Sequence, residues 1–251
     1  MKKLFGSLTF FALALGLAAG MAYAADVTSD LAGYWPLDGN AKDLSGNGND
    51  GEAVGNPEWV DGRRGEAVKL AGVVNGDTQH VHIPGFNLTT DTITFVAWIN
   101  GWKNDTWTGI VISRGTNDLG IGFGDGDALH YTWSGNTTWE WHDGPVIPRD
   151  TWAMVAAALE PTIATTYLYT DADGLQSSSN ETDHPAETVD NVRIGWDECC
   201  GGARWFVGMM DEVMIYNRTL SEDDILELAI SGPAAVEPSG KLTTTWAGIK
   251  Q

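Results

Sequence analysis

Thr92-Ile93-Thr94-Phe95-Val96-Ala97-Trp98-Ile99 is dense in β-branched and aromatic residues, and it puts Ile93, Phe95, Ala97 and Ile99 on one face of an extended chain. That period of two predicts a strand. Similar runs lie at Gly109 to Ser113, Leu119 to Phe123, Ala128 to Trp133, Thr151 to Leu159, Thr165 to Tyr169, Val192 to Trp196 and Val207 to Tyr216. Strand-stopping residues separate them: Asp125-Gly126, Ser134-Gly135-Asn136, Pro145 to Pro148 and Asp171-Ala172-Asp173-Gly174. The last joins two strand patterns and reads as a hairpin turn. Only Leu220 to Ile230 reads convincingly as a helix. Ser221 can cap it, Glu222, Asp223 and Asp224 suit the positive end of its dipole, and Gly232-Pro233 ends it. Leu220, Ile225, Leu228 and Ala229 form its apolar side. Regularly spaced strands, one short C-terminal helix and no repeat at periods of about 20–50 residues predict an all-β sandwich or jelly roll.

The ends of the chain carry different signals. Lys2 and Lys3 precede an apolar run from Leu4 to Ala19, and Ala22-Tyr23-Ala24 sets small residues where a signal peptidase reads. The run is short for a membrane span of about 20 apolar residues, so cleavage after Ala24 is expected rather than an uncleaved anchor. Residues 25–232 then form one domain, and 233–251 a linker and short tail. The expected location is secreted, periplasmic or at the cell surface, with no membrane span after cleavage. The full chain has a formal net charge of −20, and losing Lys2 and Lys3 leaves 12 basic against 34 acidic residues, net −22. Such a surface repels nucleic acid and anionic membranes, and favours neutral ligands, cations or calcium-rich surroundings. It also simply keeps an exported protein soluble.

The two cysteines are adjacent, Cys199 and Cys200. An oxidising compartment favours their oxidation. Neighbouring Cα atoms stand ~3.8 Å apart, closer than the usual disulfide range of about 4.4–6.8 Å. A bridge between them would close a strained eight-membered ring, and two free or intermolecular thiols are an equal alternative. No Cys or His stands nearby at the spacing of a zinc site.

Near the mature N-terminus stand Gly33-Tyr34-Trp35-Pro36-Leu37-Asp38-Gly39, Asp43-Leu44-Ser45-Gly46-Asn47-Gly48-Asn49-Asp50-Gly51 and Gly65-Glu66-Ala67-Val68-Lys69-Leu70. The domain closes on Phe206-Val207-Gly208-Met209-Met210-Asp211-Glu212-Val213-Met214-Ile215-Tyr216-Asn217-Arg218-Thr219-Leu220-Ser221. In this order, with Thr92 to Ile99 as a central strand, these segments resemble the LamG-like jelly-roll family of the concanavalin A-like lectin/glucanase superfamily. The resemblance covers about Asp26 to Ser231. It implies a two-sheet antiparallel jelly-roll sandwich whose first and last strands are neighbours. It says less about function, because the fold carries lectins, adhesion modules, accessory domains and glycosidases.

Calcium takes about six to eight oxygen ligands, mixing carboxylates with backbone carbonyls. Asp38-Gly39-Asn40 and Asp43 to Asp50 supply many oxygens on a glycine-rich chain. The resemblance implies a structural calcium joining the N-terminal loop to the closing strand, with Asp38 and Asp211 as shared ligands and Asp43 or Asn47 as further candidates. The competing reading is that Asp, Asn and Gly are here as turn formers. The pairs Asp125/Asp127 and Asp171/Asp173 read as turn residues.

A retaining glycosidase needs two carboxyls about 5–5.5 Å apart. Laminarinase-type relatives meet this with a bulged Glu-x-Asp-x-x-Glu strand, and no such pattern occurs here. Asp211 and Glu212, as strand neighbours, are expected to face opposite ways, as are Asp197 and Glu198. His80, His82, His130, His142 and His184 sit in no recognised nucleophile motif. These readings favour a non-catalytic protein.

Seven of the twelve tryptophans fall between Trp98 and Trp152. Sugars present flat C–H faces that pack on aromatic rings, and exposing a tryptophan without such use is costly. Trp102, Trp107, Trp139 and Trp141 lie among Gly, Asn, Asp and Thr in expected loops, as ligand candidates or as loop packing. Trp98, Trp152 and Trp196 fall in strand patterns and are expected in the core. The cysteine pair, near Trp196 and Trp205, offers a second apolar platform. The leading expectation is a recognition module for carbohydrate or an extracellular polymer with calcium support. A protein–protein adhesion module and a divergent glycoside hydrolase are the alternatives.

Overall fold

The computed structural model describes residues 27–134, 140–141, 143–201 and 203–233. The expected export segment 1–24 and the tail beyond 233 lie outside the described residues. The first strands are β1 (Leu31–Trp35), β2 (Glu52–Val54), β3 (Glu58–Asp61), β4 (Glu66–Ala71), β5 (Val73–Val74), β6 (Asp77–Thr78) and β7 (His80–Thr90). There follow β8 (Ile93–Lys103), β9 (Gly109–Arg114), β10 (Asp118–Phe123), β11 (Leu129–Trp133), β12 (Glu140–Trp141) and β13 (Ala153–Glu160). The chain closes with β14 (Ile163–Thr170), β15 (Gly174–Asn180), β16 (Glu187–Ile194), β17 (Phe206–Tyr216) and α1 (Glu222–Ser231).

Two antiparallel sheets carry the sandwich. The first runs β15-β14-β13-β8-β17-β4-β3, with β1 also paired to β17, and the second β12-β11-β10-β9-β16-β7-β2. β1 and β4 lie end to end along one side of β17: Val207 to Met210 pair with β4, and Val213 to Tyr216 with β1. First and last strands are therefore neighbours. Between the sheets lies a core that includes Trp35, Phe86, Phe95, Phe123, Tyr131, Trp133 and Phe206. Each such buried side chain is worth about 1.5–3 kcal/mol against leaving it exposed.

The alternation in β8 decides which residues do this. Ile93, Phe95, Ala97 and Ile99 enter the inter-sheet core, while Val96 and Trp98 face outward into a second apolar cluster. That cluster is sealed by Leu220, Ile225, Leu228 and Ala229, so α1 covers the first sheet's outer face. Ser221 Oγ accepts from the Asp224 N–H (3.2 Å), and Asp224 accepts in return from the Ser221 N–H (3.0 Å). This reciprocal cap, with Leu220 and Ile225 buried on either side of it, fixes where the helix starts. The hairpin at Asp171 to Asp173 joins β14 to β15, and the Thr170 hydroxyl donates to Asp173 (3.1 Å). No helix among the described residues is long and apolar enough to cross a membrane.

Candidate functional site

The second sheet has no helix over it among the described residues, and cross-strand register defines what its outer face presents. Thr132, Gly120, Ile112, Arg193, His82 and Glu52 oppose one another in turn from β11 to β2. Their chain neighbours Tyr131, Ile121, Val111, Ile194 and Val81 are in the inter-sheet core, so this row points away from it.

Part of this face is covered by the loop from Trp196 to Trp205, whose ends pair as a single bridge. Buried Asp197 anchors it, accepting from Arg114 Nε (2.5 Å), Arg114 Nη2 (2.8 Å) and Arg204 Nη1 (3.0 Å). A Cβ at position 109 would stand 2.9 Å from the Asp197 nitrogen, so only Gly109 lets the loop come this close. Glu198 is ion-paired to Arg193, whose guanidinium lies 5.6 Å from the Trp196 ring. The His80 ring packs 4.8 Å from Trp196, tilted by 56°. Burial, helped by the charge of Arg193, holds His80 below the usual imidazole range. His82 Nε2 shares a 2.6 Å hydrogen bond with Asn191 Oδ1. Toward β11, Trp107 stands edge-on to His130 at 5.9 Å. The face therefore combines indole rings, imidazoles, an arginine and a glycine strip.

At the tip of the loop the structure joins Cys199 to Cys200 in a disulfide, with Cα atoms 3.7 Å apart. Cys199, Cys200, Trp196, Glu198 and Gly201 line a pocket of about 150 Å³.

The tryptophans expected in loops are dispersed. Trp102 is on β8 rather than in a loop, packed edge-on to Phe123 (5.6 Å) beneath Arg149 (5.2 Å). Trp141 is likewise on a strand, β12, with its ring 5.8 Å from Tyr131 at the core's edge. Both expectations of a loop setting are corrected, because strand pairing extends further at each place than the local composition indicates. Trp107 is in a loop, half-buried. Trp139 lies outside the described residues. Trp98 is core and Trp152 is packed against the outer cluster, but Trp196, expected in the core, is only half-buried, on the outer face. A positive φ at Gly195 causes this: Gly195 takes the inward position against Leu70, and Trp196 turns outward.

The predicted metal ligands divide into two places. Asp38 and Asp211 reach the same turn between β3 and β4: Asp38 Oδ1 accepts from the Glu66 N–H (2.7 Å), and Asp211 Oδ2 from the Arg64 N–H (2.9 Å). A Cβ on Gly65 would collide with Asp38, and one on Gly62 with Asp211. Asp43 instead organises its own loop, accepting from the N–H groups of Tyr34, Ser45 and Asn49 and from the Ser45 hydroxyl. Asn47 donates to the Leu31 carbonyl (2.8 Å). Among the described residues, no three His, Cys, Asp or Glu side chains group as a metal cage.

Asp211 and Glu212 do not face opposite ways, which corrects the strand-neighbour argument. β17 is bulged between Asp211 and Met214, and Glu212 has φ 50°. The extra residue leaves both carboxylates on the outer side of the first sheet. Asp211 opposes Trp98, and Glu212 accepts from the Tyr34 hydroxyl (3.0 Å). Burial, with Glu212 close by, pushes Asp211 up to about 7. Burial also raises Glu212, against the partly offsetting Tyr34 hydrogen bond. Asp211 Oδ1 is buried without a hydrogen bond. With Asp211 and Glu212 0 % and 4 % exposed, the pair offers no surface to a glycosidic bond.

Residues 75–226 match a family model described as the concanavalin A-like lectin/glucanases superfamily. A search of curated proteins found no match. Among solved structures, domain 4 of AbnA, a GH43 extracellular arabinanase from Geobacillus stearothermophilus solved with arabinotriose, aligns at TM-score 0.61 and 16% identity. That alignment covers 80% of this chain and 98% of that one. The binding domain of botulinum neurotoxin DC with rat synaptotagmin II aligns at TM-score 0.59 and 13% identity, over 81% of this chain and 52% of that one. Trypanosoma rangeli sialidase aligns at 0.55 and 17%, over 79% and 32%. At these identities the likeness is one of fold.

Proposed function

The chain belongs to the concanavalin A-like lectin/glucanase superfamily, and from that premise we propose that it is an exported, non-catalytic module that binds carbohydrate on the outer face of its second sheet. One contrast carries this reading. The first sheet's outer face holds an apolar cluster sealed by α1, whereas on the second the half-buried Trp107, His82 and Trp196 reach solvent beside buried His130, Thr132 and Arg193. Indole rings suit the C–H faces of a sugar, and planar polar side chains suit its hydroxyls. The two acids of the loop over this face are held in ion pairs, Asp197 with Arg114 and Arg204, and Glu198 with Arg193. That is the setting of loop anchors rather than of a proton-transferring pair. A solved neighbour of this fold is an arabinanase domain with arabinotriose, which supports a saccharide ligand.

A glycan array on the mature domain, followed by calorimetry on Trp107→Ala, tests the proposal. The variant should lose about fivefold to tenfold in affinity, the low end for one ring stacked on an aromatic, with an unchanged melt. A wild type that binds no glycan but captures a protein partner replaces this reading with adhesion. Release of reducing sugar from a β-glucan replaces it with hydrolysis.

The proposal extends to a structural calcium held by Asp38 and Asp211. The residues fit: Asp211 Oδ1 is buried and unpartnered, and Asp38 reaches the same turn. The remaining ligands would be backbone carbonyls or water. The ion would neutralise a carboxylate whose ionised form burial disfavours.

A further inference from the structure

The Cys199–Cys200 bridge spans adjacent residues. A disulfide stabilises a fold by closing a long loop in the unfolded chain, and one between neighbours closes none. Its effect is local: it turns two side chains and one peptide unit into a rigid, sulfur-faced ring. That ring is placed outward, with Cys199 half-buried and Cys200 exposed. The loop that carries it is pinned from below by Asp197 between Arg114 and Arg204, by Glu198 on Arg193 and by Trp196 on His80. A loop this firmly held, ending in a partly exposed apolar ring beside a half-buried indole, is preorganised for a ligand.

We infer that the disulfide ring and the Trp196 indole form a subsite for one sugar residue of a neutral glycan. The inference rests on the carbohydrate-binding reading above, and it names a subsite of that same face. The pocket of about 150 Å³ is small beside the ~300–1,000 Å³ of sites for larger ligands, so it takes a single ring of a longer chain. Glu198, whose side chain is 50% exposed, keeps acceptor positions for sugar hydroxyls, since a carboxylate has about four. Sulfur is soft and polarisable and packs well against C–H surfaces. The negative net charge of the chain favours a neutral saccharide over an acidic one.

The test is an amide and indole NMR titration of the mature chain with arabinotriose, cellotriose and maltotriose. The Trp196 indole N–H and the amides of Glu198 to Gly201 should shift and saturate with at least one of them. Reducing the wild type with a phosphine, or replacing both cysteines in Cys199→Ser/Cys200→Ser, should weaken that affinity about fivefold to tenfold, the low end for a stacked ring. Should the serine variant melt early, the reduced wild type supplies the same comparison. Shifts confined to Trp107, His130 and Thr132, with affinity indifferent to reduction, overturn the subsite and leave the binding face standing. Shifts nowhere, with all three sugars, overturn both.

Discussion

Asp197→Asn tests the physical basis of the loop that crosses the second sheet. The substitution keeps the shape and one acceptor oxygen but removes the charge that Arg114 and Arg204 share. The Asp197 side chain is 5% exposed, Arg114 11% and Arg204 18%, so solvent screens the arginines slightly and the acid hardly at all. Removing one partner of a fully buried pair costs about 3–5 kcal/mol. Arg114 keeps a second acid, Asp118, at 2.6 Å, and both arginines touch water. We therefore expect about 2–3 kcal/mol of lost stability. For a domain of this size that corresponds to a Tm lower by roughly 4–12 °C. Urea unfolding followed by tryptophan fluorescence gives the first number, and hydrogen exchange on residues 198–205 shows whether the loss is centred there. A double-mutant cycle with Arg204→Met should return more than about 1 kcal/mol of coupling. A loss under about 0.5 kcal/mol with native protection of the loop would refute the argument, and the pedestal under the disulfide would need another cause.

Three further outcomes are expected. Burial holds His184 and His80 below the usual imidazole range, so the unfolded chain takes up protons that the native state refuses. Stability from this source falls as pH drops through ~6.5, by up to ~1.4 kcal/mol per pH unit for each histidine. The raised carboxyls Asp211 and Glu212 act in the opposite sense, so the comparison is wild type against His184→Gln between pH 7 and 5, where identical slopes would contradict it. Calcium at about 100 times its Kd should add ~2.7 kcal/mol; Asp211→Ala should abolish that gain, and a chelated melt matching the calcium melt would exclude the ion. Intact mass of exported protein should lack Met1 to Ala24, and a mass that retains them contradicts cleavage.

Legibility in the sequence followed how local the signal was. β8, β10, β11 and β17 carry their own alternation, and α1 carries its own cap, so each was found within a few residues. β7 carries no clear strand signal because Pro84-Gly85 punctuates it; the pairing with β16 shifts register opposite that point, and an irregularity there accommodates a residue with no N–H. The β17 bulge was equally invisible, since nothing in Met210 to Val213 announces an extra residue. It is fixed where β17 exchanges β4 for β1 as its neighbour. The outer-face histidines look unrelated in the sequence, because only cross-strand register brings His80, His82 and His130 to one face. Trp196 defies its strand pattern for a comparable reason: its orientation depends on the positive φ of Gly195.

The position of β17 sets the order in which this domain can form. It is the last strand among the described residues, yet it lies between β8 on one side and β4 and β1 on the other. Until its eleven residues emerge, two long strand edges lack their partner, and β1 must wait for a strand about 180 residues downstream. Loop closure over such a distance costs entropy that later contacts must return, and folding dominated by distant pairings proceeds in milliseconds to seconds rather than microseconds. The sandwich therefore closes only once nearly the whole described chain is available, and until then the facing edges of β8, β4 and β1 stay open to other partners.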